Sequence, residues 1–198
     1  MIPDDILETS KPWETVGTMN NSWGFKSYDT DWKPPREVLY WIIDIASKGG
    51  NYMLNVGPQG DGMIPAANFD ILKSVGRWLG TNGEAVYGTR AWRTNHEGPF
   101  DLKMHGTHER RNLSFRLDFS PEDFWFTKKQ KSVYAISFAS PSDDRYLIKS
   151  LMGEKIVSVK VLGSEAPVKW SATDEGLSII APAGDSNDLA RVLKVAIE

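Results

Sequence analysis

The sequence has 198 residues, 40% of them hydrophobic, with 23 Lys+Arg against 26 Asp+Glu, a formal net charge of −3, and no cysteine. Disulfides, thiol nucleophiles and cysteine-ligated metals are therefore excluded, and the mixed, near-balanced charge argues against a nucleic-acid or membrane-surface partner. The length supports one or two domains with a real core, and no run approaches the ~18 apolar residues of a membrane span.

Residues 1–32 read as loop, rich in Pro, Asn, Asp and Thr. Met1-Ile2-Pro3-Asp4-Asp5 has neither the basic start nor the apolar core of a signal peptide, so the chain as it stands reads as cytoplasmic, an upstream signal aside. Within this stretch Pro12-Trp13-Glu14-Thr15 precedes Asn20-Asn21-Ser22-Trp23-Gly24-Phe25. A glutamate flanked by tryptophans is the composition of a sugar-cleaving site, with rings for the apolar face of a pyranose and an acid for the leaving oxygen. Its place near the start of the sequence leads us to expect the rest of such a site upstream. The competing reading of Glu14 is a structural hydrogen bond.

Pro34-Pro35 opens a helix with an apolar face of Val38, Leu39, Ile42, Ile43, Ile45 and Ala46, and Gly49-Gly50 ends it. Asn51 to Val56 follows as a short buried strand. Then come the turn Gly57-Pro58-Gln59-Gly60-Asp61-Gly62 and a second helix over Pro65–Asn82 with the face Phe69, Leu72, Val75 and Leu79. Helix, strand, glycine loop and helix are the rhythm of a β/α layered fold with parallel strands. After Trp92 the period changes. Residues 93–122 read as irregular, and seven short runs then alternate at period two, over 124–128, 133–139, 145–151, 156–162, 168–171, 177–181 and 191–197. Turn residues separate them, so an antiparallel sandwich is expected. The domains are set at residues 1–92, a stub of β/α units, and 93–198, the sandwich.

Other motifs carry blander readings. The glycine loop at 57–62 lacks the ending of a phosphate-binding loop and loses a donor at Pro58, so it reads as a strand-to-helix turn in which Asp61 braces the turn or caps the following helix. His105 and His108, followed by Glu109, have a spacing a metal could use, but a third ligand would have to come from elsewhere and the stretch reads as a solvated loop. Asp29 and Asp31 start a calcium-like loop that no glycine or distal glutamate completes. Lys128, Lys129 and Lys131 read as a solvated hairpin turn. Arg36, Glu37 and Asp44 read as solvent-facing or locally paired. Of the eight tryptophans, Trp41 and Trp78 fall in helical patterns and read as core.

Together, the Pro-Trp-Glu and Asn-Asn-Ser-Trp-Gly-Phe motifs, Ser47-Lys48-Gly49-Gly50-Asn51-Tyr52-Met53-Leu54-Asn55-Val56-Gly57-Pro58, Asp61-Gly62-Met63-Ile64-Pro65, and Asn82-Gly83-Glu84-Ala85-Val86-Tyr87-Gly88-Thr89-Arg90-Ala91-Trp92 resemble the α-L-fucosidases of glycoside hydrolase family 29. The resemblance runs over residues 10–92, with the sandwich matching in position and class. It implies the last β/α units of a (β/α)₈-type barrel followed by a β-sandwich, and retaining hydrolysis of terminal α-L-fucose with no metal or other cofactor. It also implies Glu14 as acid/base in some members (a residue just upstream serves in others), and Trp23, with Trp13, as sugar-binding rings. The family's nucleophile has no counterpart in these residues. Asp4, Asp5, Asp29 and Asp31 are the nearby acids that could substitute.

Two readings follow. One is a truncated fucosidase acting on fucosylated oligosaccharides, with a site completed across a homo-oligomer. The other is a non-catalytic remnant that binds sugar weakly or serves in assembly. Two β/α units cannot close a barrel of roughly 250 residues, so the faces Val38–Ile45 and Phe69–Leu79 are expected to be exposed and to drive self-association.

Overall fold

The computed structural model describes residues 11–102, 117–182 and 189–198. Asp4, Asp5, His105, His108 and Glu109 lie outside these residues.

The first strand is a departure from the loop reading. β1 (Glu14–Thr18) pairs in parallel with β2 (Asn51–Asn55), Glu14 opposite Asn51 and Thr18 opposite Asn55. Its sequence, Glu-Thr-Val-Gly-Thr, has no apolar run of its own, and its partner strand supplies the extended conformation. Gly17 lets the two strands approach, since the Tyr52 ring and hydroxyl occupy the space a Cβ would take. Burial raises the Tyr52 phenol to about 12, with the nearby Glu37 carboxylate adding to the shift, so this hydroxyl stays neutral.

Helix α1 (Pro35–Ser47) joins the two strands, and Gly49 ends it at φ +76°, a left-handed turn that favours glycine. Helix α2 (Ala66–Asn82) follows β2 and runs into a short 3₁₀ turn at Gly83–Ala85. Its buried stripe is Asn68, Ile71, Val75, Trp78 and Asn82, one residue out of phase with the expected face, and Phe69 points to solvent. Two buried asparagines on the inner face disguise that stripe in the sequence.

Every one of the expected sandwich strands forms. β3 (Arg90–Glu97), β4 (Phe124–Lys129), β5 (Ser132–Ser137), β7 (Ile156–Val161) and β10 (Arg191–Ile197) make a five-stranded antiparallel sheet in the order β3-β4-β5-β10-β7. A smaller sheet packs against it, β6 (Arg145–Ile148), β9 (Gly176–Ile180) and β8 (Lys169–Thr173), in the order β6-β9-β8. β3 was read as irregular beyond Trp92. It pairs with β4 through a register shift between Ala91 and His96, so the sheet begins at Arg90 and runs through the expected boundary at 92/93.

The five-stranded sheet is buried on both faces. Phe124, Phe126, Val133, Ala135, Leu193 and Val195 enter the core between the sheets, while Trp125, Tyr134, Ile136 and Val192 face the helices. Against that outer face lie Leu39, Tyr40, Ile43 and Trp78, the last only 1% exposed. The helices thus fold onto the sandwich, which corrects the expectation of bare helical faces. The Trp78 Nε1–H donates to the Ala190 carbonyl at 2.7 Å, the Thr127 hydroxyl to the Ala85 carbonyl at 2.6 Å, and the Arg36 guanidinium to the Phe138 carbonyl.

Glu37 and Asp44, read as solvent-facing or locally paired, are both buried, and Asp44 does pair locally, with Lys48 one turn on. Asp44 accepts from the Trp125 Nε1–H at 3.2 Å and from the Lys48 ammonium at 3.0 Å, so both its oxygens are engaged at the helix–sheet seam. The same seam holds His96. Its ring lies 4.5 Å from that of Trp125, and its Nε2 is 3.5 Å from Asp123 Oδ1 without making a hydrogen bond. Asp123 is fully buried and accepts the backbone N–H groups of Phe100 and Ser120, at 2.7 and 2.6 Å.

Burial pushes His96 below its ordinary value of 6.5, outweighing the Asp123 and Asp44 carboxylates that raise it, while Lys48 adds to the lowering. The fold therefore holds His96 neutral, whereas the unfolded chain protonates it near pH 6.5. The contribution is present above about pH 6.5 and declines as pH falls below it. Thermal melts between pH 7.5 and 5.5 should show a steeper loss of Tm in the wild type than in His96→Asn. Equal slopes would mean that this imidazole does not titrate on unfolding.

Candidate active site

Parallel strands of a β/α fold carry their chemistry at their C-terminal ends, while residues at the N-terminal ends serve stability. In this chain the C-terminal ends of β1 and β2 share one edge, at Thr18 and Asn55. The loop that follows β1 is built over that edge by a dense set of hydrogen bonds. Asn55 Nδ2 donates to the Trp23 carbonyl at 2.7 Å and to Thr18 Oγ1 at 3.2 Å, and the Thr18 hydroxyl donates to the Ser22 carbonyl at 3.0 Å. The buried Lys33 ammonium donates to the Thr18 carbonyl at 2.5 Å, which fixes the end of the strand.

Asp29 closes the loop. Its Oδ2 accepts the Asn21 backbone N–H and the Ser22 hydroxyl, each at 3.1 Å. Its Oδ1 accepts Asn21 Nδ2 at 3.4 Å, and the same amide reaches Asp31 Oδ2 at 3.0 Å. A carboxylate taking three donors, one of them from the backbone, is a structural brace. Asp29 and Asp31 are thus both engaged in holding the loop. Among the described residues no group of three His, Asp or Glu side chains is placed to hold a metal ion.

What the loop presents is aromatic. Trp23 is 57% exposed, and Phe25 and Tyr28 are exposed beside it in the chain. An exposed indole on a braced loop is a ready platform for the apolar face of a sugar ring, because little side-chain or backbone freedom is lost on binding.

Trp13 and Glu14 lie at the other end. Glu14 begins β1, opposite Asn51, and is exposed on the same bare strand face as Val16 and Met53. The Trp13 indole packs where a side chain at Gly50 would stand, and its carbonyl accepts the Asn51 N–H at 3.1 Å. β1 advances about 13 Å from Glu14 to Thr18 at 3.3 Å per residue. The three sequence candidates are therefore not gathered into one site. Trp23 stands at the C-terminal edge, and Trp13 with Glu14 at the N-terminal edge.

The glycine loop is a closed turn, as expected. The Met63 N–H bonds Asp61 Oδ1 at 3.0 Å, and the Gln59 and Gly62 N–H groups bond the Met63 and Gln59 carbonyls, so three donors are spent internally. Gly57 matters for a different reason. A Cβ there would sit 2.9 Å from the Phe25 nitrogen, 3.0 Å from the Gly24 carbonyl carbon and 3.1 Å from the Trp23 carbonyl oxygen. Those are backbone atoms that cannot swing away. Asn55, Gly57 and Asp29 were not singled out as site-building residues in the sequence; the one available signal was the Asn20-Asn21-Ser22 cluster set against an aspartate downstream.

Gly57→Ala should displace the loop and cost roughly 1–3 kcal/mol of stability. The tryptophan emission of Trp23 should shift in the folded state. An unchanged melt and an unchanged spectrum would show that the approach of loop and strand is looser than drawn.

Comparison with known proteins accounts for both halves. The model of the α-L-fucosidase family matches residues 2–84, and that of the α-L-fucosidase C-terminal domain matches residues 117–196. An α-L-fucosidase of Branchiostoma floridae is 30% identical over 188 residues, covering 93% of this chain and 37% of its own length. Human tissue α-L-fucosidase is 30% identical over 174 residues, covering 86% of this chain and 33% of its own length. The chain thus spans about a third of the length of these relatives. Among solved structures, α-L-fucosidase isoenzyme 1 from Paenibacillus thiaminolyticus aligns over the whole chain and 44% of its own, at 24% identity and a TM-score of 0.77. The Thermotoga maritima α-fucosidase in complex with fucose aligns over 95% of this chain and 40% of its own, at 24% identity and a TM-score of 0.74. These structures share the fold, the end of a barrel followed by a sandwich. With the two models together taking up most of the sequence, the chain belongs to the α-L-fucosidase family.

Proposed function

We propose that this chain supplies the fucose-binding edge of an α-L-fucosidase, with Trp23 packing against the apolar face of a terminal α-L-fucose. The observation that carries this reading is the exposed Trp23 indole, held at the C-terminal edge of the parallel pair by Asn55 and by the Asp29-braced loop. The reaction is retaining hydrolysis. A carboxylate attacks the anomeric carbon as a carboxylic acid protonates the glycosidic oxygen, and water then releases the sugar with the same stereochemistry. No metal or organic cofactor is part of the proposal.

Glu14 as that acid has to reach a sugar bound against Trp23, and the length of β1 separates them. We therefore assign Glu14, with Trp13, to the foot of the strand pair, and sugar contact to Trp23. A retaining pair needs carboxyl groups about 5 Å apart. Asp29 and Asp31 stand at the edge away from Glu14 and are engaged in the loop. This favours the second reading for the 198 residues on their own, a module that binds the sugar without turning it over.

Fluorescence titration of the chain with L-fucose, alongside turnover of an aryl α-L-fucoside, separates these roles. Trp23→Ala should weaken binding about tenfold, the equivalent of ~1.4 kcal/mol for a lost ring contact. Glu14→Gln should leave binding unchanged. Turnover that disappears in Glu14→Gln with affinity intact would restore Glu14 as the acid/base and overturn the assignment.

Self-association belongs to the same proposal, but through a different surface from the helices. Val16 and Met53 are paired neighbours on the bare face of the strand pair, 43% and 49% exposed, and an exposed apolar pair on an uncovered sheet face invites a partner. Sedimentation should show concentration-dependent association, abolished by Val16→Lys with Met53→Lys. A wild-type monomer at all concentrations would rule it out.

A further inference from the structure

Trp23 is one of three aromatic residues on a loop whose two ends are tied together. The Ser22–Asp29 hydrogen bond, 3.1 Å, forms the neck. Compact loops with joined ends are a common setting for function. Inside the neck stand Trp23, Phe25 and Tyr28. A second constraint shapes the far side: the Asp29 N–H donates to the Lys26 carbonyl at 3.1 Å, closing a turn with Ser27 and Tyr28 at its centre. Tyr28 is 79% exposed, more than any other large hydrophobic side chain among the described residues, and the Lys26 ammonium lies 5.8 Å from its ring centroid.

A single exposed tyrosine is ordinary on a protein surface. Here, however, the backbone of Tyr28 is held by a closed turn and its neighbour Asp29 is the brace that holds the backbone before Trp23. The two rings stand one residue to either side of the same hydrogen bond. The Ser22–Asp29 tie keeps the backbones that carry Trp23 and Tyr28 at the base of one loop, so a ligand reaching both rings finds a support that is already ordered, with little further entropy to lose. The phenol and the ammonium add polar groups beside an apolar ring face, the pairing suited to a neutral pyranose and not to an apolar peptide.

We propose that Tyr28, assisted by Lys26, takes the sugar residue to which the fucose is attached, making it a determinant of preference among fucosylated glycans. The occupant is a neutral hexopyranose or N-acetylhexosamine linked to the fucose anomeric carbon. This rests on the assignment of fucose to the Trp23 edge.

The test compares methyl α-L-fucoside with α-L-fucosyl disaccharides, 2-linked to galactose and 6-linked to N-acetylglucosamine. Each is titrated by protein-observed NMR into the 198-residue chain and into Tyr28→Ala and Tyr28→Phe. In the wild type at least one disaccharide should bind severalfold more tightly than methyl fucoside. That ratio should fall to one in Tyr28→Ala, with methyl fucoside affinity unchanged, and should largely survive in Tyr28→Phe. Methyl fucoside binding without any disaccharide preference, or a preference that persists in Tyr28→Ala, overturns the role of Tyr28 alone. Absence of binding by every ligand overturns it together with the fucose assignment beneath it.

Discussion

The outer face of the five-stranded sheet is apolar, and the placement of everything upstream follows from that. Trp125, Tyr134 and Ile136 cannot be left to water on a sheet whose other face is already filled by Phe124, Phe126, Val133 and Ala135. Helices α1 and α2 provide the cover. A ring the size of Trp125 buries about 150–250 Å², worth roughly 4–6 kcal/mol as a gross upper figure. The hydrogen bond from Trp125 to Asp44 contributes on the order of 1 kcal/mol net. Apolar burial therefore drives the docking of both helices, with Asp44 and Arg36 selecting the register of α1 and the Trp78–Ala190 contact that of α2.

From α1 the constraint passes along the chain. The helix ends at Gly49, β2 leaves from it, and β1 is held alongside β2 by pairing and by the close fit of Tyr52 over Gly17. Asn55 and Gly57, at the end of β2, then receive the loop that carries Trp23. The surface indole is thus positioned by a continuous series of packed elements that starts inside the sandwich. The seam containing His96 and Asp123 lies at the beginning of that series.

Much of the fold was legible in the sequence because burial and period coincide there. The seven sandwich strands after residue 120 are short apolar or alternating runs set off by turn residues, and the helix at 35–47 has proline at its start and glycine at its end. The failures have physical causes. β1 is polar and contains glycine, so its strand character exists only in its pairing with β2. β3 has one fully buried side chain, Trp92, and an irregular register, which removes the alternation that would mark it. Asn68 and Asn82 occupy the inner face of α2, while Phe69 sits outside. Asp44 and Glu37 look like surface charges at helical spacing, and only tertiary contact with the sheet reveals them as buried. For the site, residue types showed Trp23, Trp13 and Glu14 but not which end of a strand each would occupy. Once Glu14 is known to begin a strand, its neighbourhood in sequence to Trp23 no longer implies proximity to the same sugar.

The central claim is that sugar recognition belongs to the C-terminal edge of the β1–β2 pair. Mapping backbone amide shifts of the 198-residue chain on addition of L-fucose tests it most directly, since the two edges carry separate reporters. The account predicts shifts concentrated at Asn21, Trp23, Gly24, Asn55 and Gly57, with Glu14, Thr15 and Asn51 unmoved. Shifts centred on Trp13, Glu14 and Asn51 would contradict it and move the site to the opposite end of the strands.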